Sequence, residues 1–409
     1  MRHYSIRQRL APLARLDLSL LLLSLVLIGV GCLFIFAVGQ ANARFAGFWK
    51  RQLCWAALGS VCFVVLCWVD YRRLGGWSWL LYTLGLGMLV LVLLYGTTTN
   101  AARSWLPIPL VGFRLQPAEF AKPATVLLLA WLASRPALQT RPWLQTGVLL
   151  AAVSLPLLLI GLQPDYGTAL VFVPVTAAIL VAAGMPWKWF GAGLLVLALA
   201  APVVYRTQLK AHQKDRIKVF LNPAARLSLE LARPFIGLDR ETEFEQRITA
   251  FAKPSSSELD TSYNAQPSLL AVGSGGLWGK GLMRGTQNVL GFLPNTVAPT
   301  DFIFSVIAEE AGFAGAGAVI LAFMGIVLCC LRAAFLATDA FGAYLAAGVA
   351  AMLATHAYIN IGMTFQAAPI IGIPLPFVSY GGSFMISTLI CVGLVQSVTV
   401  HGQIGTADD

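Results

Sequence analysis

The chain has 409 residues, of which 58% are hydrophobic and only 11% charged, with a mean hydropathy of +0.75 and a formal charge of +10. A soluble domain is nearer a quarter charged, and a single soluble core would not keep so much apolar surface from water. These values exclude a cytosolic enzyme, a disordered chain and a small disulfide scaffold, and they leave an all-α, polytopic integral membrane protein. Each helical span needs ~20 apolar residues, so about half of the chain suffices for about ten spans.

Apolar runs predict those spans, in chain order, at Leu16–Gly39, Leu53–Val69, Trp77–Gly96, Pro117–Ala133, Leu144–Leu162, Thr168–Ala183, Trp189–Tyr205, Phe302–Leu331, Ala340–Thr364 and Phe377–Thr399. The first run has basic residues before it and Ala41-Asn42-Ala43 after it, as a signal peptide does. It is too long for that and more spans follow, so it is expected to stay uncleaved. The seven cysteines (Cys32, Cys54, Cys62, Cys67, Cys329, Cys330 and Cys391) all fall in apolar runs. They read as small buried hydrophobes, without a disulfide or zinc pattern.

Ten spans put both termini on one side. Segments on that side carry Arg2, Arg7, Arg9, Arg15, Arg72, Arg73, Arg135, Arg141, Lys188 and Arg332. The short loops opposite carry only Arg44, Lys50, Arg51, Arg103 and Arg114. The positive-inside rule therefore makes both termini cytoplasmic. Residues 206–300 become one long extracytoplasmic loop within a single membrane domain, 1–409.

Ionisable groups at membrane depth are functional candidates. Glu119 and Lys122 stand at i and i+3 near the start of the fourth span, acid first, which places them on one helix face. They fit either a neutralising pair between helices or a pair lining a cavity. Glu309 and Glu310 lie about two turns into the eighth span and point about 100° apart, so at most one is expected to face a given partner. Asp165, after Pro164, fits a cap on the sixth span. His356 is a lone histidine in the ninth span and reads as a packed or hydrogen-bonded interior group.

In the long loop, Arg206, Lys210, Lys214 and Lys218 recur every four residues, with Arg216 beside them. On a helix this is one slowly drifting basic stripe, suited either to phosphate oxygens of a ligand or to lipid headgroups. Gly273–Gly281 resembles a phosphate loop but fails its pattern: Ser274 stands where the first Gly should be and Gly281 follows the Lys. Its glycines fit a hinge or a close backbone approach to a ligand. The loop ends at Pro299-Thr300-Asp301-Phe302. Thr300 fits an N-cap and Asp301 a first-turn acid; a helix N-terminus lowers a carboxylate's pKa and an apolar setting raises it, so Asp301 is equally a candidate general base.

Together these landmarks resemble the SEDS family (shape, elongation, division and sporulation) of ten-span bacterial membrane proteins. The matching stretches are 103–106, 116–122, 163–168, 271–287, 300–312, 359–363 and Pro374-Leu375-Pro376-Phe377-Val378-Ser379-Tyr380-Gly381-Gly382-Ser383. They cover nearly the whole chain in order, and are specific jointly rather than singly. Gly279-Lys280-Gly281, Gly285-Thr286-Gln287 and Phe292-Leu293-Pro294 look more like the elongation branch (RodA) than the division branch (FtsW). The departures are Pro299 where the family has His, Ser262-Tyr263…Pro267-Ser268 where it has Gly-Tyr…Gln-Ser, Tyr166 where it has Leu, and an apparent insertion, Ala224–Asp260.

The resemblance implies polymerisation of lipid II, an undecaprenyl-diphosphate disaccharide-pentapeptide, into peptidoglycan on the outer face of the inner membrane during cell elongation. It implies Asp301 as the catalytic residue. Arg103, Trp105, Glu119, Lys122, Lys210, Lys214, Lys218, Glu309, Ser379 and Tyr380 are the substrate-binding candidates. It also implies a class B penicillin-binding transpeptidase as partner, no nucleic acid and no organic cofactor; a divalent cation at the diphosphate is left open. The rival readings are a lipid II flippase, motivated by the intramembrane charges though no inverted repeat is visible, and a non-catalytic scaffold acting through 224–260.

Overall fold

The computed structural model describes residues 15–99, 102–108, 113–186, 188, 189, 191, 193, 199, 214, 259–291 and 297–402. Its elements are α1 (Leu18–Ala41), α2 (Phe48–Trp68), α3 (Tyr71–Tyr95), β1 (Thr97–Thr99), β2 (Ala102–Ile108), β3 (Phe113–Leu115), α4 (Pro117–Ala133), α5 (Pro136–Gln139), α6 (Pro142–Leu162), α7 (Tyr166–Ala182), α8 (Leu259–Ser274), α9 (Thr286–Val289), α10 (Ile303–Leu336), α11 (Ala340–Thr364) and α12 (Gly382–Gly402). Among the described residues seven helices are long and apolar enough to cross a membrane: α1, α2, α3, α6, α10, α11 and α12. Two more expected spans are helices of 17 residues, α4 and α7. Most of the expected span Trp189–Tyr205 and nearly all of 206–258 lie outside the described residues.

Local chemistry sets the helix starts. Asp17, Asp70 and Asp165 cap α1, α3 and α7 by accepting from Leu20, Arg72 and Thr168 N–H groups. Pro117, Pro136 and Pro142 open α4, α5 and α6, where the missing N–H costs nothing. The sequence did not signal the small antiparallel meander β1-β2-β3 between α3 and α4, in which Thr98 pairs with Arg103 and Leu106 with Leu115. Pairing satisfies the backbone of a loop at a membrane boundary, where unpaired N–H and C=O groups are costly.

The described residues belong to two compact units. The first comprises Met1–Pro186, Gly317–Ala357 and Ile373–Asp409; the second comprises Trp187–Ala316 and Tyr358–Gly372. Within the first, α12 is the central helix and is almost wholly buried. It packs along α2 through two glycines: a Cβ on Gly59 would lie 3.3 Å from the Ile386 Cα, and one on Gly393 3.1 Å from the Phe63 Cα. Small residues at such crossings let backbones approach closely, which is what drives helix association in lipid. Polar groups on α12 close bonds to chain ends: Gln396 exchanges two hydrogen bonds with the Asp17 backbone, and Ser397 donates to the Val69 carbonyl.

All seven cysteines are free thiols. Cys67, Cys330 and Cys391 are buried as expected, while Cys54 is exposed on α2.

Candidate active site

In the second unit, Asp301 stands on a tight turn rather than in the first turn of α10. The Val297 carbonyl accepts from the N–H groups of Thr300 (3.1 Å), Asp301 (2.9 Å) and Phe302 (3.3 Å). Helix α10 starts only at Ile303, so the cap expected from Thr300 is not formed; its hydroxyl donates back to Val297 O at 3.1 Å. The turn is clamped from α11, where Asn360 Nδ2 donates to the Asp301 carbonyl at 3.0 Å. Phe302 and Phe304 are buried, whereas Asp301 is only half-buried. Beside it lies Gly372, with φ +78°, where an added Cβ would sit 3.2 Å from Asp301 Oδ2. The backbone of Asp301 is thus held, and a residue without a side chain stands against its carboxylate. Ser268 and Ser305 join α8 to α10 by a buried 2.7 Å hydrogen bond.

In the first unit, Lys122 Nζ lies 2.9 Å and 2.8 Å from the two carboxylate oxygens of Glu119, with hydrogen-bond geometry to Oε1, and 3.0 Å from His356 Nε2. All three residues are buried. His356 Nδ1 is 3.3 Å from the Pro374 carbonyl. A neutral ring with its proton on Nδ1 satisfies both contacts, donating to the carbonyl and accepting from the ammonium. The expected pair is therefore a triad across α4 and α11, with His356 the interior hydrogen-bonded group that its setting suggested. The Glu119 carbonyl also accepts from Ser387 Oγ on α12 at 2.6 Å.

Arg103 is anchored locally: its Nε and one terminal nitrogen donate to Gly96 O (2.8 Å) and Leu94 O (2.9 Å), the carbonyl end of α3, where a cation is favoured. Trp105 is half-buried on β2, and its carbonyl accepts from Thr97 Oγ1. Ser379 and Tyr380 fall in a turn before α12, so the last helix starts five residues after Phe377. The Ser379 hydroxyl accepts from Leu375 N–H (2.8 Å) and its carbonyl from Gln52 Nε2 (2.9 Å). The Tyr380 ring stacks on Phe48 at 4.2 Å, and burial raises the pKa of its hydroxyl above the ordinary value against the lowering effect of Arg51.

The FtsW/RodA/SpoVE family model, described as a cell cycle protein, matches residues 14–230 and 233–404. The chain belongs to the SEDS family. It is similar to the peptidoglycan glycosyltransferase MrdB of Escherichia coli, 31% identical over 94% of each chain. It is also similar to a probable peptidoglycan glycosyltransferase FtsW of Trichlorobacter lovleyi, 33% identical over 95% of this chain and 94% of that one. A solved structure, described as coordination of polymerization and crosslinking by a peptidoglycan synthase complex, superposes with a TM-score of 0.68 at 27% identity, covering 96% of this chain and 99% of that one.

This SEDS chain uses its glycine-rich loop against its own backbone. A Cβ on Gly275 would fall 2.0 Å from Ala308 O, and one on Gly279 2.2 Å from Glu310 O. At Gly312 (φ 69°, ψ −167°) helix α10 breaks, and the loop supplies what the break removes. Lys280 and Gly281 N–H donate to the Glu309 and Glu310 carbonyls (3.0 Å each), and Phe313 and Ala314 N–H donate to Gly276 and Leu277 (2.8 and 3.0 Å). The close approach expected toward a ligand is thus made, in this structure, to the helix. Both glutamates serve the same loop, but through different residues of it, as side chains about 100° apart must. Glu309 accepts from Lys280 Nζ (2.6 Å), Thr286 Oγ1 (3.2 Å) and Gln287 N–H (2.9 Å); Glu310 accepts from Met283 N–H (2.9 Å) and Asn288 Nδ2 (3.4 Å).

Sequence reasoning had no signal for Gly372 beside Asp301, nor for Asn360 as its clamp, beyond their presence in or near stretches that resemble the family. Lys214 is helical and half-buried; Lys210, Lys218 and the insertion 224–260 apart from the backbone of its last two residues lie outside the described residues.

Proposed function

We propose that this SEDS-family peptidoglycan glycosyltransferase, RodA/MrdB-like and of the elongation branch, polymerises lipid II with Asp301 as general base. The acceptor sugar's 4-hydroxyl attacks the anomeric carbon of the lipid-linked donor, which inverts. The hydroxyl proton passes to the Asp301 carboxylate as the new C–O bond forms and the bond to the diphosphate breaks. An inverting glycosidase needs a second carboxyl to protonate an alcohol leaving group. A diphosphate leaves as a stable anion, so one base and nearby positive charge suffice. The observation that carries this reading is the half-buried Asp301, its carbonyl clamped by Asn360 and its carboxylate lying against Gly372, which has no side chain to displace it.

Positive charge for the diphosphate is assigned to the stripe Lys210, Lys214 and Lys218, with Arg103 and Lys122. The structure qualifies the last two. Lys122 already bonds Glu119 and His356, so it binds substrate only by exchanging a partner. Arg103 has donors left beyond the two on α3. Trp105, Ser379 and Tyr380 are assigned to the sugar and chain contacts, and Glu119 and Glu309 to holding the elements around the site. The cation asymmetry supports cytoplasmic termini in the inner membrane and an outer-face reaction. The likeness to a synthase complex that coordinates polymerization and crosslinking supports a class B transpeptidase as partner.

The test is lipid II polymerisation by the purified chain in lipid. Asp301→Asn is expected to abolish polymer while leaving the unfolding temperature within a few degrees. Full activity in a well-folded Asn variant overturns the base. Lipid II translocation without polymer by the wild type would instead support transport.

A further inference from the structure

One outer segment of the second unit is apolar, exposed and rigidly attached, and the reaction does not use it. Residues 277–290 present Leu277 (58% exposed), Trp278 (78%), Leu282, Met283, Val289 and Leu290 (62%) to the outside. In a loop that entered water these side chains would be costly, at roughly 25 cal/mol per Å² of apolar surface. The loop is nevertheless not loose. It is bonded through its backbone to both sides of the α10 break at Gly312, and through Lys280 to the buried Glu309 carboxylate.

The position of that break says what covers the patch. Residues 313–331 are nineteen in number and carry no charge, and Arg332 ends them. At 1.5 Å per residue they are about 28 Å of helix, close to the hydrocarbon thickness of a bilayer. A helix of that length crosses the bilayer with Gly312 at one boundary and Arg332 at the other, which shortens the expected span Phe302–Leu331 and puts Glu309 and Glu310 outside the hydrocarbon. Phe313, the first residue of this stretch, is itself 73% exposed and continues the apolar surface of the loop onto the lipid-facing side of the helix. Arg284 is exposed on the same segment, with a stem long enough to keep its guanidinium among headgroups while apolar neighbours enter the acyl region. Tryptophan is enriched at this depth because one end of its ring is apolar and the other donates a hydrogen bond.

We propose that residues 277–290 are an interfacial anchor, with Trp278, Leu282 and Leu290 seated at the headgroup–acyl boundary of a phospholipid leaflet and Arg284 on its phosphates. The clip at Gly312 makes this anchor rigid with α10. The segment from Ile303 to Gly312 rises about 14 Å along its own axis, so the anchor fixes the length of helix between the boundary and Asp301; this last consequence rests on the function proposed above.

The experiment places a benzophenone amino acid at Trp278 or at Leu290, with exposed Thr140 in the loop after α5 as control. The full chain is reconstituted in nanodiscs of phosphatidylglycerol and phosphatidylethanolamine, with and without a class B transpeptidase. Illumination is expected to yield peptide adducts of phospholipid mass at positions 278 and 290, at least tenfold above those at 140, whether or not the transpeptidase is present. Absence of lipid adducts at both positions, or their replacement by transpeptidase adducts, overturns the anchor. As a second measurement that needs no photo-label, the fluorescence lost in Trp278→Phe is expected to be quenched by lipids brominated near the headgroup; emission insensitive to bromine overturns it. Neither readout depends on polymerisation, so the anchor and the assignment of Asp301 fail separately.

Discussion

Gly372 and Asp301 face each other so closely that a single added methyl would lie 3.2 Å from the carboxylate oxygen Oδ2. The glycine has φ +78°, a conformation that costs a residue with a Cβ roughly 1–2 kcal/mol. If Asp301 is the base as proposed, Gly372→Ala is expected to reduce lipid II polymerisation at least tenfold, since the added methyl crowds its carboxylate. The unfolding temperature is expected to fall only a few degrees. Polymerisation near the wild-type rate would show that this side of Asp301 is not the path of the substrate.

The Lys280–Glu309 contact holds the glycine-rich loop to the broken helix. Lys280 is partly exposed and Glu309 fully buried. Lys280→Met leaves that carboxylate with hydrogen bonds but no countercharge, which is expected to cost about 1–3 kcal/mol. Glu309→Gln in the same background removes the stranded charge and is expected to recover part of the loss. Thermal unfolding in nanodiscs reads both; equal stability of Lys280→Met and wild type refutes the clip.

Coupling should be strong within Glu119, Lys122 and His356. Removing one partner of a buried pair costs about 3–5 kcal/mol because the other charge is left behind. The double variant Glu119→Gln/Lys122→Met is expected to be more stable than Lys122→Met alone. A double-mutant cycle measures this directly, and additive effects would mean that the two groups do not interact in the folded protein.

Asp339, in the connection between α10 and α11, governs an acid limb. Burial pushes its pKa up, but the Tyr71 hydroxyl, the Gly342 N–H (2.8 Å) and the Arg72 guanidinium (2.8 Å) outweigh it and hold the carboxyl below its ordinary value of 3.8. A depressed folded value means stability that is complete above the unfolded value and is lost as pH falls from there through the folded one. Unfolding followed below about pH 4 is expected to show this loss in the wild type. Asp339→Asn, already lacking the ionised form, should show a shallower slope in the same window; identical slopes would remove the linkage.

Much of the membrane architecture was written in composition and periodicity. Asp165 before a helix and Pro117 at a helix start were readable because caps are local. The i, i+3 spacing of Glu119 and Lys122 likewise foretold a bond made within one turn. Thr300 misled for the same reason. Its cap would have been local, but the three N–H groups that converge on Val297 delay the helix to Ile303.

The sequence by itself determined a polytopic helical protein, its described spans, the Glu119–Lys122 pair and the family. Only the tertiary structure decided what completes each of these. His356 reaches Lys122 from 234 residues away, and Gly372 reaches Asp301 from the far side of α11. Gly279 and Gly312, more than thirty residues apart in the chain, meet as backbone against backbone. The physical reason is range: helix rise and caps depend on neighbours within four residues, whereas a carboxylate's surroundings depend on which distant segments the packing brings beside it.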